Sequence, residues 1–169
     1  MKEIVHACHF TLCSWEEMSE ADRELLTAAK EATLRSYAPY SRFNVGAAVR
    51  LDDGTVVTGN NQENAAYPSG LCAERTTLFY VGSRYPDHAV ETIAIAARTD
   101  KGFTEEPVPP CGACRQVMLE TETRHGRPMR ILLYGQQGTY VIEGVSQILP
   151  LIFDGSSLPD ASAVMADNN

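Results

Sequence analysis

The sequence of 169 residues has no long apolar run. Its longest apolar stretches, residues 93–97 and 145–153, are too short or too interrupted for a transmembrane helix, which needs about 20 apolar residues. It also lacks internal repeats, low-complexity tracts and an N-terminal apolar segment of the secretory kind. These absences predict a cytoplasmic protein with a single hydrophobic core rather than a membrane protein.

Basic residues are scarce. There are 14 Lys and Arg residues against 22 Asp and Glu residues, which gives a formal net charge of −8. Proteins that follow a nucleic-acid backbone usually present a basic surface, so this balance disfavours DNA or RNA and favours a small ligand. The five cysteines are an odd number, which does not suit a disulfide framework. We therefore expect reduced thiols.

Helical and strand patterns alternate along the chain. Apolar spacing predicts a helix over residues 19–37 that is capped by Ser19 and buries Leu25, Leu26, Ala29, Ala32 and Leu34. A hairpin with strands at 43–51 and 55–59 follows. The later elements are helices at 72–82 and 111–123, strands at 92–97 and 129–134, an edge strand at 140–143 and a short helix at 145–149. This order predicts an α/β domain with helices on both faces of a mixed sheet.

Both ends of the chain differ from this central domain, which we expect at residues 19–153. Residues 1–18 form an extension with His6, Cys8, His9 and Cys13. Alternation along a strand would send these side chains to opposite faces, which favours an added edge strand over a second metal site. Residues 154–169 are rich in Ser, Asp, Pro and Asn, as is typical of a frayed tail.

A cysteine pair opens the third predicted helix, after a Pro-rich loop at residues 100–110. Cys111 and Cys114 are spaced so that two thiolates can face one tetrahedral zinc ion. The helix N-terminus favours the thiolate form because its free N–H groups stabilise negative charge. The pair alone is equally compatible with a redox dithiol.

A third cysteine, Cys72, begins another predicted helix 39 residues upstream of Cys111. Three thiolates leave zinc one open position, which distinguishes a catalytic site from a structural one. Water there would be acidified by the metal, and Glu74 is close enough to move its proton. Glu74 alone could be an ordinary first-turn carboxylate, but beside three cysteines we expect it to be catalytic.

Two arginines follow these motifs directly. Zinc with three thiolates carries a net charge of about −1, so a nearby cation is expected. Arg75 and Arg115 are the candidates, although each could be an ordinary surface residue.

Together, Cys72-Ala73-Glu74-Arg75 and Pro110-Cys111-Gly112-Ala113-Cys114-Arg115-Gln116 resemble the zinc signature of the cytidine deaminase family. Cysteine as the first ligand is similar to the short, single-domain members, which are typically homotetramers. The resemblance covers residues 19–153. It implies a three-layer α/β/α sandwich with a central five-stranded mixed sheet, one zinc ion per chain, and hydrolysis of cytidine or deoxycytidine to the uridine product and ammonia.

The resemblance also implies a nucleoside pocket. Phe43 matches the aromatic residue that packs on the pyrimidine, Asn61 and Glu63 match residues that bind the sugar hydroxyls, and Ala73 belongs to the same substrate-binding set. Residues two apart on an extended segment point the same way, so Asn61 and Glu63 can face one ribose. Phe153 matches a phenylalanine that closes the pocket of a neighbouring subunit. Asn44, where many members have proline, and residues 1–18 depart from the family pattern.

Three alternatives stay open at this point. The substrate could be a modified cytosine nucleoside such as a nucleoside antibiotic, or a polynucleotide, which the acidic balance disfavours. The protein could also be a scaffold with structural zinc. That site would need a fourth protein ligand, supplied by Cys8, Cys13, His88 or His125.

Overall fold

A computed structural model describes residues 1–156 and 158. Within them the chain forms, in order, β1 (Thr11–Cys13), α1 (Glu20–Ala32), β2 (Asn44–Leu51), β3 (Val56–Asn60), α2 (Ala73–Arg84), β4 (Val90–Thr99), β5 (Gly102–Phe103), α3 (Gly112–His125), β6 (Arg130–Gly135) and β7 (Gly138–Glu143). Short 3-10 helices lie at Thr33–Arg35, Tyr67–Ser69 and Val145–Gln147. The predicted tail lies outside the described residues, apart from 154–156 and 158. No helix in the described part is long and apolar enough to cross a bilayer.

The sheet has the strand order β1-β7-β6-β4-β2-β3, and β5 pairs with the end of β4. Strands β4 and β6 are parallel, whereas their neighbours pair antiparallel, so the predicted mixed sheet is confirmed. The predicted number of five strands is wrong for the described chain, which has seven. Strand β1 from the extension covers the predicted edge strand β7, and β5 has only two residues, too few to give a sequence period.

Alternation along β4 separates two helical layers. Ile93 and Ile95 pack in the core on the α2 and α3 side, whereas Ala94 and Ala96 pack on the α1 side. Small residues let α1 lie close to the sheet, and a Cβ atom at Gly46 of β2 would collide with the α1 backbone. The three-layer α/β/α arrangement is therefore confirmed.

The structure agrees with the sequence prediction at the start of α1 but not at its end. The Ser19 side chain accepts a hydrogen bond from the Asp22 backbone N–H at 3.1 Å, so the predicted cap is confirmed. Leu34 is 70% exposed, so its predicted burial is wrong. The chain tightens into a 3-10 helix at Thr33–Arg35, which turns Leu34 away from the buried face of α1.

The N-terminal extension contacts α1 through Trp15, one of three aromatic side chains around the Lys30 cation. The Nζ atom of Lys30 lies 5.5 Å, 5.1 Å and 4.4 Å from the ring centroids of Trp15, Phe103 and Tyr134. Such cation–π contacts are attractive at this range. Together with β1, they join the extension to the main sheet. The added strand expected in the extension lies at Thr11–Cys13, after His6, Cys8 and His9.

Candidate metal centre

The N-termini of α2 and α3 meet through three cysteines. Cys72 and Cys111 are the N-cap residues of these helices, and their Sγ atoms are 3.9 Å apart. The Sγ atom of Cys114, in the first turn of α3, lies 3.3 Å from that of Cys111. Cys114 is buried, whereas Cys111 is exposed. The two helix starts thus bring together three thiols, of which one is buried, one half-buried and one exposed.

These three sulfur atoms fit the ligand set of a zinc ion. Zn–S bonds of about 2.3 Å in a tetrahedral site place sulfur atoms roughly 3.8 Å apart, which matches the 3.9 Å between Cys72 and Cys111 and exceeds the 3.3 Å between Cys111 and Cys114 by about half an ångström. Among residues 1–156 and 158, the group of potential ligands contains Cys72, Cys111 and Cys114 with no fourth His, Cys, Asp or Glu. The donor set therefore fits a metal with one open position and lacks the ligand that a closed structural site needs.

Arg75 provides positive charge beside these sulfurs. A hydrogen bond from Cys114 and the nearby Arg75 guanidinium lower the pKa of Cys72 to about 5. The buried Nε atom of Arg75 has no hydrogen-bond partner among the described residues, and its Nη2 is 3.5 Å from the Gly70 carbonyl oxygen. A buried donor left without an oxygen acceptor is consistent with a guanidinium that faces thiolates.

Glu74 is buried next to the cysteines. It is the second residue of α2 and is only 4% exposed. Burial raises the pKa of its carboxyl group, and the negative charge of Cys72 acts in the same direction, while its hydrogen bond with Cys114 opposes them. A carboxyl group with a raised pKa holds an accepted proton more readily than an exposed one does, as suits a group that transfers protons.

Arg115 makes different contacts from those expected of a charge-neutralising residue. Its Nε donates to the Pro110 carbonyl oxygen at 2.8 Å, and its Nη1 donates to the Ile148 carbonyl oxygen at 2.6 Å. The guanidinium therefore joins the loop before Cys111 to the chain that follows β7.

Asn61 binds the segment that leads into β2. Its Oδ1 accepts a hydrogen bond from the Val45 N–H at 2.8 Å and another from the Ser36 hydroxyl, and its Nδ2 donates to the Phe43 carbonyl oxygen at 2.9 Å. One amide hydrogen of Asn61 is not used in these bonds. The side chain thus fixes the backbone of half-buried Phe43, a role that the sequence did not reveal.

Glu63 lies on the neighbouring part of the same segment. Its carboxylate accepts hydrogen bonds from the Tyr40 and Ser41 N–H groups at 2.8 Å and 3.2 Å. Hydrogen bonding, first with the Ser41 side chain, lowers the pKa of Glu63 and keeps it ionised. Backbone pairing of Gln62 with Leu71 brings this segment beside the start of α2.

The two remaining predicted pocket residues differ in exposure. Ala73 is completely buried between Cys72 and Glu74, whereas Phe153 is 60% exposed. The Phe153 carbonyl oxygen accepts a hydrogen bond from Nε2 of Gln116 at 2.8 Å. Sequence reasoning missed Gln116 because its acceptor is a main-chain atom, which has no residue signature.

A second group of potential ligands, Asp52, Asp53 and His88, was also missed. The His88 Nδ1 lies 2.8 Å from Asp52, and its Nε2 lies 3.8 Å from Asp53. Each ring nitrogen thus faces a carboxylate, as in a protonated imidazole. The hydrogen bond with Asp52 raises the pKa of His88, which favours an ion pair over a metal site.

Sequence comparison relates this chain to cytidine deaminases. The family of the cytidine and deoxycytidylate deaminase zinc-binding region matches residues 19–126. A cytidine deaminase of Halalkalibacterium halodurans is 42% identical over 140 residues, which cover 82% of this chain and 99% of the relative. A cytidine deaminase of Sporosarcina psychrophila is 39% identical and covers 82% of this chain and 96% of its own length.

Solved structures agree with the sequence comparison. The crystal structure of cytidine deaminase from Burkholderia pseudomallei has a TM-score of 0.66 and 38% identity, and covers 80% of this chain and 100% of its own. The corresponding structure from Mycobacterium tuberculosis has a TM-score of 0.59 and 33% identity, and covers 77% of this chain and 94% of its own. The chain described here therefore belongs to the cytidine and deoxycytidylate deaminase family.

Proposed function

We propose that this protein is a zinc-dependent hydrolase that deaminates cytidine, deoxycytidine or both, releasing ammonia and the uridine product. The observation that carries the proposal is a group of three sulfur atoms, with no fourth protein ligand in the described chain, beside buried Glu74. The name cytidine deaminase of its relatives supports the substrate class.

Cys72, Cys111 and Cys114 would hold the metal. Zinc, when bound, supplies the positive charge that lowers the pKa of a water molecule. The Glu74 carboxylate would take one proton from the attacking water and deliver it to N3 of the cytosine ring while the water oxygen bonds to C4. Glu74 would then take the second proton from the new hydroxyl group on C4 and pass it to the amino nitrogen, so that the C4–N bond breaks, ammonia leaves and the C4 carbonyl forms. Burial supports this role, because a carboxyl group with a raised pKa can return the proton that it has accepted.

The two arginines have different roles around the thiolates. Arg75 offsets their negative charge, as the lowered pKa of Cys72 supports. Arg115 fixes the loop that carries Cys111, through its hydrogen bond to the Pro110 carbonyl oxygen.

The nucleoside would lie between the segment that leads into β2 and the start of α2. Phe43 packs on the pyrimidine ring, and buried Ala73 helps to shape the base pocket. The remaining amide hydrogen of Asn61 and the ionised Glu63 carboxylate bind the sugar hydroxyls. The hydrogen bonds of Asn61 and Glu63 with the segment that leads into β2 support this role, because they hold the amide and the carboxylate in fixed positions.

The active sites are completed across subunits of a homotetramer. Exposed Phe153 closes the pocket of a neighbouring subunit, and the exposure of Cys111 in the single chain supports the need for such a cover. Residues 19–153 form the deaminase domain, with an extension at 1–18 and a tail at 154–169. All five cysteines are free thiols, which supports a cytoplasmic location.

A nucleoside panel with metal analysis on the same sample tests the proposal. Protein with about one zinc per chain should release ammonia from cytidine or deoxycytidine, and chelation followed by buffer exchange should abolish the release. Re-addition of zinc should restore it. Zinc-loaded protein that leaves both nucleosides intact would contradict the proposed function.

A further inference from the structure

The segment after β7 is apolar but exposed. Leu151 is 89% exposed, Ile152 45% and Phe153 60%. Leu151 also has a φ angle of 56°, a left-handed conformation that is unfavourable for a residue other than glycine. Neighbouring contacts must therefore hold this segment in its path.

Two consecutive side chains of α3 contact the main chain of this segment at both of its ends. Arg115 donates to the Ile148 carbonyl oxygen at 2.6 Å, and Gln116 donates to the Phe153 carbonyl oxygen at 2.8 Å. Successive residues on a helix point about 100° apart, so one turn can reach two separated acceptors. The acceptors are backbone atoms, which leaves the side chains of residues 151–153 directed elsewhere.

We propose that Gln116 is a positioning residue that, together with Arg115, fixes the C-terminal segment and so determines where the Phe153 ring stands. This inference rests on the proposed function, in which Phe153 closes a nucleoside pocket. Gln116 contributes to substrate binding through Phe153 and does not touch the reacting atoms. Its loss should therefore raise KM and leave kcat and zinc content almost unchanged.

A double-mutant cycle separates positioning from general stability. The substitution Gln116→Met removes the donor at similar size, and we expect KM for cytidine to rise about 3- to 10-fold, as for the loss of one hydrogen bond. Phe153→Ala should raise KM at least as much. The double variant should resemble Phe153→Ala alone, because Gln116 has no ring left to position. Gln137→Met is the matched control, because the exposed side chain of Gln137 makes only a 3.4 Å contact with the Glu105 carboxylate.

If the increases in KM caused by Gln116→Met and by Phe153→Ala multiplied in the double variant, the two residues would act independently and the proposal would be overturned. A fall in kcat with loss of zinc in Gln116→Met would also overturn it, since Gln116 would then act on the metal centre.

A second readout is independent of activity. Brief chymotrypsin treatment, followed by mass spectrometry, should cleave after Phe153 faster in Gln116→Met than in the unmodified protein or in Gln137→Met. Equal rates would refute the anchoring. If the unmodified protein proves inactive on nucleosides but this difference in cleavage is present, the proposed function fails while the anchoring of the segment holds.

Discussion

The N-termini of α2 and α3 have similar sequences but make different contacts. Each helix has a cysteine at its N-cap and an arginine within four residues of it. Arg75 of α2 faces the sulfur atoms, whereas Arg115 of α3 donates to two main-chain carbonyl oxygens. The start of α2 also carries the buried carboxyl group. The local pattern thus does not decide the role of an arginine, since the partner is supplied by residues distant in sequence.

The largest effect is expected at the start of α3, which contributes two of the three sulfur atoms. Cys114 is fully buried between the helices, so Cys114→Ser should lose most of the zinc and with it all measurable deamination. Metal content by mass spectrometry or atomic absorption checks this. Cys13→Ser, at a free cysteine outside the site, is the matched control and should retain zinc. Equal zinc content in the two variants would rule out the assigned ligand set.

The second-largest effect is expected at Glu74 of α2, whose substitution should impair catalysis without loss of zinc. We expect Glu74→Gln to keep its zinc and to lose activity by about 10²- to 10⁴-fold, since an amide cannot accept and return the proton. Steady-state ammonia release and zinc analysis on one preparation measure both quantities. Glu120→Gln, an exposed position on α3, should behave as the unmodified protein. If Glu74→Gln retained comparable activity, another group would have to move the proton.

A paired replacement of the two arginines tests the comparison directly. In metal-free protein, Arg75→Gln should raise the pKa of Cys72 from its lowered value of about 5, because a nearby cation is lost. It should also weaken zinc binding about 10- to 100-fold. Arg115→Gln should leave the thiol titration alone and reduce the free energy of unfolding by about 1–3 kcal/mol, since two carbonyl groups lose their donor.

Thiolate absorbance during a pH titration and denaturant unfolding measure these two outcomes. Similar titrations for both variants would mean that the arginines act alike, contrary to the contacts described here.

The smallest effect is expected beyond the opposite end of α2, at His88. Its pKa is raised above the ordinary 6.5, so its contribution to stability is present below that pH and is lost as pH rises through the folded-state pKa. The pKa of Asp52 is lowered below 3.8, so its contribution to stability is present above pH 3.8 and is lost as pH falls through its folded-state pKa. His88→Gln should therefore lower Tm slightly near about pH 5.5 and have almost no effect by about pH 9.

Thermal melts across this pH range check the prediction, and activity should not change because His88 is remote from the cysteines. A difference in Tm that grows towards high pH would contradict the ion pair.

Much of the fold and part of the site could be read from local sequence. The Ser19 cap and the strand at residues 92–97 were predicted from short-range patterns, and the structure agrees with both. The sequence also predicted that Cys72 and Cys111 open helices that converge, and their sulfur atoms lie 3.9 Å apart. The zinc ligand roles and the pocket residues stay predictions.

The remaining features depend on contacts that carry no local signal. The exposure of Leu34 follows from a change of helix type, and β5 exists only because two residues fold back onto β4. The partners of Arg115 and Gln116 are backbone carbonyl groups, which any residue could provide. Sequence patterns therefore identify the side chains that can do chemistry. They do not identify the backbone atoms that those side chains contact.

Trp15 is the single tryptophan of the chain, and it stands in the extension with Lys30 5.5 Å from its ring centre. Trp15 is 38% exposed, so release of the extension from α1 would change both the solvation of its ring and its charged neighbour. Tryptophan emission is sensitive to both. The protein thus contains an intrinsic optical probe that reports on residues outside the matched family region, without labelling and without interference from another indole.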